Sequence, residues 1–139
     1  IIDHITDSQG QPRFAITKSK RTVYSQRAAN ITSSILQQVC KPGGTAGKIT
    51  TLGFKSPCGG KTGTTQVRRI SLKERAEGIK KDEDLPWKYR NHAWFMAYAP
   101  HDKPKYAVAV IVEHGRSGAG VAAPIASKIL EEALRLDIR

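Results

Sequence analysis

Two apolar runs dominate the pattern of this chain. Residues 92–100, His92-Ala93-Trp94-Phe95-Met96-Ala97-Tyr98-Ala99-Pro100, and residues 105–112, Lys105-Tyr106-Ala107-Val108-Ala109-Val110-Ile111-Val112, are β-prone and flank the polar stretch His101-Asp102-Lys103-Pro104. That arrangement predicts a β-hairpin. A different period precedes it: Ala28, Ile31, Ile35, Leu36 and Val39 fall on one helical face, behind Ser25 as N-cap. Pro42-Gly43-Gly44 should stop that helix near Lys41. After a glycine-rich break at Gly115 to Gly120, Val121, Ile125, Ile129, Leu130 and Leu134 give helical spacing again, with Pro124 in the first turn. Between the elements, residues 1–13 read as a connecting loop and residues 13–24 alternate only weakly. Residues 68–91 form a long connection with a helical patch at 72–77 and an extended piece at Leu85-Pro86-Trp87, Trp87 being the candidate to anchor it by burial.

The candidate chemistry lies in Gly60-Lys61-Thr62-Gly63-Thr64-Thr65-Gln66. Extended, this segment places Thr62 and Thr64 on one side, leaves the backbone open at Gly63, and sets a lysine beside them. Hydroxyls and a cation on one edge suit a carboxylate. A phosphate-binding loop would need a glycine where Lys55 stands and a helix where the β-branched Thr64-Thr65-Gln66-Val67 follows.

The order of a Lys-Thr-Gly-Thr strand, the His92-Ala93-Trp94-Phe95 strand, the strand leading to Val112-Glu113-His114-Gly115, and the Val121-Ala122-Ala123-Pro124-Ile125-Ala126 helix resembles the C-terminal part of a penicillin-binding transpeptidase domain. The resemblance is to class B proteins of the penicillin-binding protein 2 type, partly through the connection from Gln66-Val67-Arg68-Arg69-Ile70 to Asp84-Leu85-Pro86-Trp87. It spans roughly residues 25 to 135. It implies an α/β fold of the α+β type, an antiparallel sheet flanked by helices as in β-lactamases and transpeptidases, with only the C-terminal portion carried by residues 1–139.

By that resemblance Lys61 and Thr64 would be catalytic: Lys61 as the cation of the cleft that assists proton transfer, Thr64 through a backbone N–H of the oxyanion hole. Thr62, Gly63, Thr64 and Thr65 would bind substrate, the hydroxyls of Thr62 and Thr64 holding the carboxylate of a peptidoglycan stem peptide or a β-lactam. Thr45-Ala46-Gly47 resembles the Gly-Thr-Ala turn that precedes this strand in the family. No metal or cofactor is implied. Cell-wall elongation proteins are the implied partners, and the periplasmic face of the bacterial inner membrane, with the parent protein anchored there, is the implied location. The chain contains neither Ser-x-x-Lys nor Ser-x-Asn. Both motifs lie upstream in the family, so the chain is expected to be inactive alone. The alternatives are a β-lactamase or carboxypeptidase of the same fold, disfavoured by the long connection, and a non-catalytic scaffold or β-lactam-sensing module. An uncovered sheet edge would invite self-association.

Composition adds constraints. With 139 residues and 39% apolar content the chain has room for one ordinary core. The net charge of +11 raises the question of nucleic acid. Its short clusters, Lys18-Ser19-Lys20-Arg21, Arg68-Arg69 and Lys80-Lys81 before Asp82-Glu83-Asp84, lack interleaved aromatics and argue against it. No apolar run is long enough to span a bilayer. Cys40 and Cys58 are too few for a cysteine metal site; two separate thiols are expected, with pairing open to them in an oxidising compartment. The four histidines show no ligand spacing, and Trp94, Phe95 and Tyr98 read as alternating core and face positions of a strand.

Overall fold

Alternation of small and large apolar residues along 92–99 is what builds this molecule, because it gives one strand two different faces. The computed structural model describes residues 4–15 and 22–137; the basic cluster at 18–21 lies outside them. A hairpin of β1 (His4–Thr6) and β2 (Pro12–Ala15) is followed by α1 (Gln26–Cys40), the short α2 (Lys48–Thr51) and β3 (Gly59–Thr65). Then come α3 (Leu72–Glu77), β4 (His92–Ala99), β5 (Tyr106–Val112) and α4 (Ala123–Asp137). The main sheet is antiparallel in the order β3-β4-β5. An α+β arrangement of sheet and helices is thus present as expected.

In β4, Ala93, Phe95, Ala97 and Ala99 face the core and are buried. Val108, Val110 and Val112 of β5 join them, and α4 closes the layer with Ala123, Ala126 and Leu130, together with Ala122 just ahead of it. Ile49 of α2 and Phe54 complete the cluster. The other face, carrying Trp94, Met96, Ala109 and Ile111, is open: Ile111 is 71% exposed. α1 packs beside β3.

Both long helices have the expected bounds, but only part of each expected face meets the core. Ser25 caps α1, its Oγ accepting from Ala28 N at 3.2 Å, and Lys41 ends it. Yet Ile31 and Ile35 are exposed, and Cys40 is the buried residue of this helix. Of the expected stripe on α4 and the turn before it, Leu130 is buried and Val121 and Leu134 pack against the core, whereas Ile125 and Ile129 are 41% and 48% exposed and Ala122, Ala126 and Ser127 take the interior positions instead. The cause is the π-helical turn Gly118–Ala122, in which Ala123 N reaches back to Gly118 O. That wider turn rotates the helix so that its alanines meet a flat, alanine-rich strand.

Residues 1–13 were expected to be a loop, but residues 4–15 form a hairpin. The Asp7 carboxylate accepts from the N–H groups of Gln9 and Gln11, both at 2.9 Å, and Gly10 takes a φ of 77°. An Asx-type turn thus replaces the apolar alternation that normally signals strands. The expectation of separate thiols is also corrected: Cys40 and Cys58 form a disulfide with Cα atoms 6.0 Å apart. α1 ends where β3 begins, and the loop between them returns to close the gap.

Closing a loop of this size is worth roughly 3 kcal/mol through the unfolded chain. Cys40→Ser should therefore lower the urea midpoint of unfolding, and reductant should lower the wild-type midpoint equally. An unchanged midpoint in reductant would show that packing alone holds this corner.

Candidate active site

β3 is an edge strand among the described residues, paired with β4 from Gly59 opposite Tyr98 to Thr65 opposite His92. Its glycines match aromatic rings. A Cβ at Gly59 would lie 2.4 Å from Tyr98 Cζ, one at Gly60 2.7 Å from Phe95 Cζ, and one at Gly63 2.1 Å from Trp94 Cε2. The sequence suggested that Gly63 leaves space for a ligand; the space on its Cβ side is filled by the Trp94 indole. Gly118 approaches the same backbone, and a Cβ on it would stand 2.6 Å from Gly63 O.

Pairing fixes where the side chains go. Thr62 and Thr64 lie opposite Phe95 and Ala93 and share their side of the sheet, whereas Lys61, Gly63 and Thr65 lie opposite Met96, Trp94 and His92 and take the other. Lys61 is exposed, its Nζ donating to Thr62 O at 2.8 Å. Thr62 is half-buried, Thr64 and Thr65 exposed. Antiparallel pairing uses alternate backbone groups, so every second N–H of β3 points to the unpaired edge. Thr62 Oγ1 lies 3.3 Å from Thr45 Oγ1. Thr45 sits in the turn after α1, which is anchored by the bond from Ala46 N to Val39 O, at 2.9 Å.

Residues 1–131 match the family described as the penicillin-binding protein transpeptidase domain. The chain belongs to that family. A peptidoglycan D,D-transpeptidase MrdA of Haemophilus influenzae is 45% identical over 76 residues, covering 52% of this chain and 10% of that protein. The chain thus spans about a tenth of the length of this relative. Among solved structures, the penicillin-binding protein PBP2 of Helicobacter pylori, in complex with MreC, superposes over 94% of this chain and 22% of its own. Its TM-score is 0.66 at 27% identity. PBP2 of Pseudomonas aeruginosa in complex with WCK 5153 gives a TM-score of 0.62 at 31% identity, covering 90% of this chain and 24% of that one.

In this transpeptidase domain the connection after β3 walls one end of the strand. Arg68 and Glu74 form a two-pronged ion pair, with N···O distances of 2.6 and 2.5 Å. α3 covers residues 72–77 as expected, capped by Ser71 Oγ, which accepts from Glu74 N at 3.1 Å. Leu85 and Pro86 are extended, but Trp87 starts a short 3₁₀ turn. Leu85 is the buried anchor; Trp87 is 60% exposed and rests on the His114 ring, at 4.2 Å between centroids. A cavity of about 230 Å³ lies between the connection and β3, lined by Thr64, Gln66, Arg68, Lys80, Asp82 and Asn91. His92 serves packing, its Nδ1 accepting from His114 N at 2.9 Å. Among the described residues no group of three or more His, Cys, Asp or Glu is arranged to hold a metal.

The Arg68–Glu74 staple escaped the sequence reading, although Ser71-Leu72-Lys73-Glu74 carries the Ser-x-x-Glu pattern of a capped helix start. The Thr45–Thr62 contact had no local signal, since it joins residues 17 apart.

The hydrogen bond from Arg68 holds the Glu74 carboxyl below its ordinary range. A carboxyl lowered on folding stabilises the fold fully above its unfolded pKa, and that contribution fades as pH falls through the folded value. The protection factors of the amides of residues 72–77, relative to the intrinsic exchange rates at each pH, should therefore fall below about pH 4, and Glu74→Gln should remove that dependence. Gly63→Ala should destabilise the domain measurably in urea, because Trp94 must leave its place; a Trp94→Ala background should relieve the defect.

Proposed function

We propose that this chain is the C-terminal part of a serine D,D-transpeptidase that cross-links peptidoglycan stem peptides. The observation that carries this reading is the Lys61-Thr62-Gly63-Thr64 segment on the open edge of β3 in a chain that belongs to the family. The peptidoglycan D,D-transpeptidase name borne by the H. influenzae relative supports the reaction.

The serine nucleophile comes from a Ser-x-x-Lys segment elsewhere in the parent protein. Its oxygen attacks the carbonyl of the penultimate D-alanine, forming the ester bond of an acyl-enzyme as terminal D-alanine leaves with the proton. The amine of a second stem peptide then attacks that ester and frees the serine. Lys61 leaves the strand on the same face as Thr65, but its long side chain folds back so that Nζ lies 2.8 Å from Thr62 O, and from there it supplies positive potential and assists proton transfer. The hydroxyls of Thr62 and Thr64 bind the terminal carboxylate, and the N–H of Thr64 stabilises the developing oxyanion, such a donor being worth about 3 kcal/mol. Gly63 and Thr65 complete the strand edge along which substrate lies, Thr65 through its backbone, since its side chain projects to the far side.

A β-lactam presents a carbonyl and a carboxylate in a similar arrangement, and so acylates the same serine. The complex of H. pylori PBP2 with MreC supports cell-wall elongation proteins as partners of the whole protein. Its place of work is then the periplasmic face of the inner membrane, held by an anchor in the parent. Among the described residues no helix is long and apolar enough to cross a membrane.

A fluorescent penicillin incubated with this chain and with the intact parent tests the reading by intact mass. Label on the parent only is expected; label on neither favours a scaffold or sensor, and label on this chain places the nucleophile within it. In the parent, Thr62→Val should slow acylation about 10- to 100-fold, the loss of one hydrogen bond to a charged group.

A further inference from the structure

We infer that Thr45 is a positioning residue of this site: its hydroxyl orients the Thr62 hydroxyl so that Thr62 donates its proton to a substrate carboxylate. This rests on the reading of Thr62 given above.

A threonine hydroxyl has one proton to donate and two lone pairs. Thr62 Oγ1 donates to Thr45 Oγ1 at 3.3 Å, a single hydrogen bond that leaves the Thr45 proton free to turn. Free of substrate, the Thr62 proton can sit on Thr45. A carboxylate only accepts, so on its arrival the Thr62 proton turns to it and the Thr45 proton takes the vacated lone pair. The chain Thr45 O–H to Thr62 O–H to carboxylate then runs in one direction, and each bond polarises the next.

The contact has little value as a fastener. Thr45 is exposed, and water competes for its hydroxyl. The turn that carries it is nevertheless built without slack. A Cβ on Gly44 would lie 2.1 Å from Gln38 O and one on Gly47 2.5 Å from Lys41 O, while Ala46 is fully buried. The Cys40–Cys58 disulfide joins the helix end ahead of Thr45 to the residue ahead of β3. These constraints fix the separation of two solvent-facing hydroxyls on different elements, as the orientation of a ligand-binding group requires.

The test uses the full-length parent with Thr45→Val, which keeps the shape and removes the hydroxyl, and Thr45→Ser, which restores it. Acylation rates are measured with a penicillin and with its carboxylate methyl ester. Thr45→Val should slow the free acid about 3- to 10-fold, the loss of one neutral hydrogen bond. The ester should be unaffected, Thr45→Ser should recover the rate, and in a Thr62→Val background Thr45→Val should add nothing. An equal loss with acid and ester, or no loss with the acid, overturns the inference while leaving the transpeptidase reading intact. Absence of acylation in the wild-type parent overturns both.

Discussion

The fit of glycines against aromatic rings across β3 and β4 is the constraint from which the rest of the site follows. Tyr98, Phe95 and Trp94 each occupy the space that a side chain at Gly59, Gly60 or Gly63 would need. A slip of one residue in either direction would set Trp94 against a threonine, Thr62 or Thr64, and exchange the faces of Lys61 and Thr62. Register here is therefore specified by volume as well as by hydrogen bonds. The same matching lets Gly118 approach the sheet, and with it the π-turn that sets the rotation of α4.

Around that strand the protein applies two further restraints of different kinds. One is covalent, the bond from the end of α1 to Cys58. The other is ionic, the Arg68–Glu74 pair that folds the long connection back beyond Thr65. The strand is thus held at its entrance and its exit, while its central residues, Lys61 to Thr64, keep an edge that no other strand pairs with among the described residues. An edge strand so held can present backbone donors to a ligand without being free to move with it.

Much of this was legible in the sequence. The hairpin of β4 and β5, the extended Lys-Thr-Gly segment, the Ser25 cap and the Lys41 stop all rest on local patterns, and each is found where the pattern lies. What escaped was set by partners distant in the chain. Helical spacing cannot tell whether Ile125 or Ala126 will face a sheet, because the choice depends on the alanines of β4 and on a turn one residue wider than usual. The first hairpin is held by a side-chain cap at Asp7, and apolar alternation does not report it. Trp87 promised burial by size, yet the smaller Leu85 took the interior position. At the site itself, residue types and spacing identified the strand, whereas the roles of Trp94 as the filler behind Gly63 and of Thr45 as the neighbour of Thr62 required the folded geometry.

The disulfide has one more consequence, for damage rather than for folding. Cys40 and Cys58 close a covalent ring through the backbone of residues 40–58, and its rim exposes Lys41, Pro42, Lys55 and Pro57 to solvent. A protease that cuts once within the rim opens the ring but leaves the disulfide, so α1 and β3 stay tethered and the two pieces part only when the sulfurs are reduced.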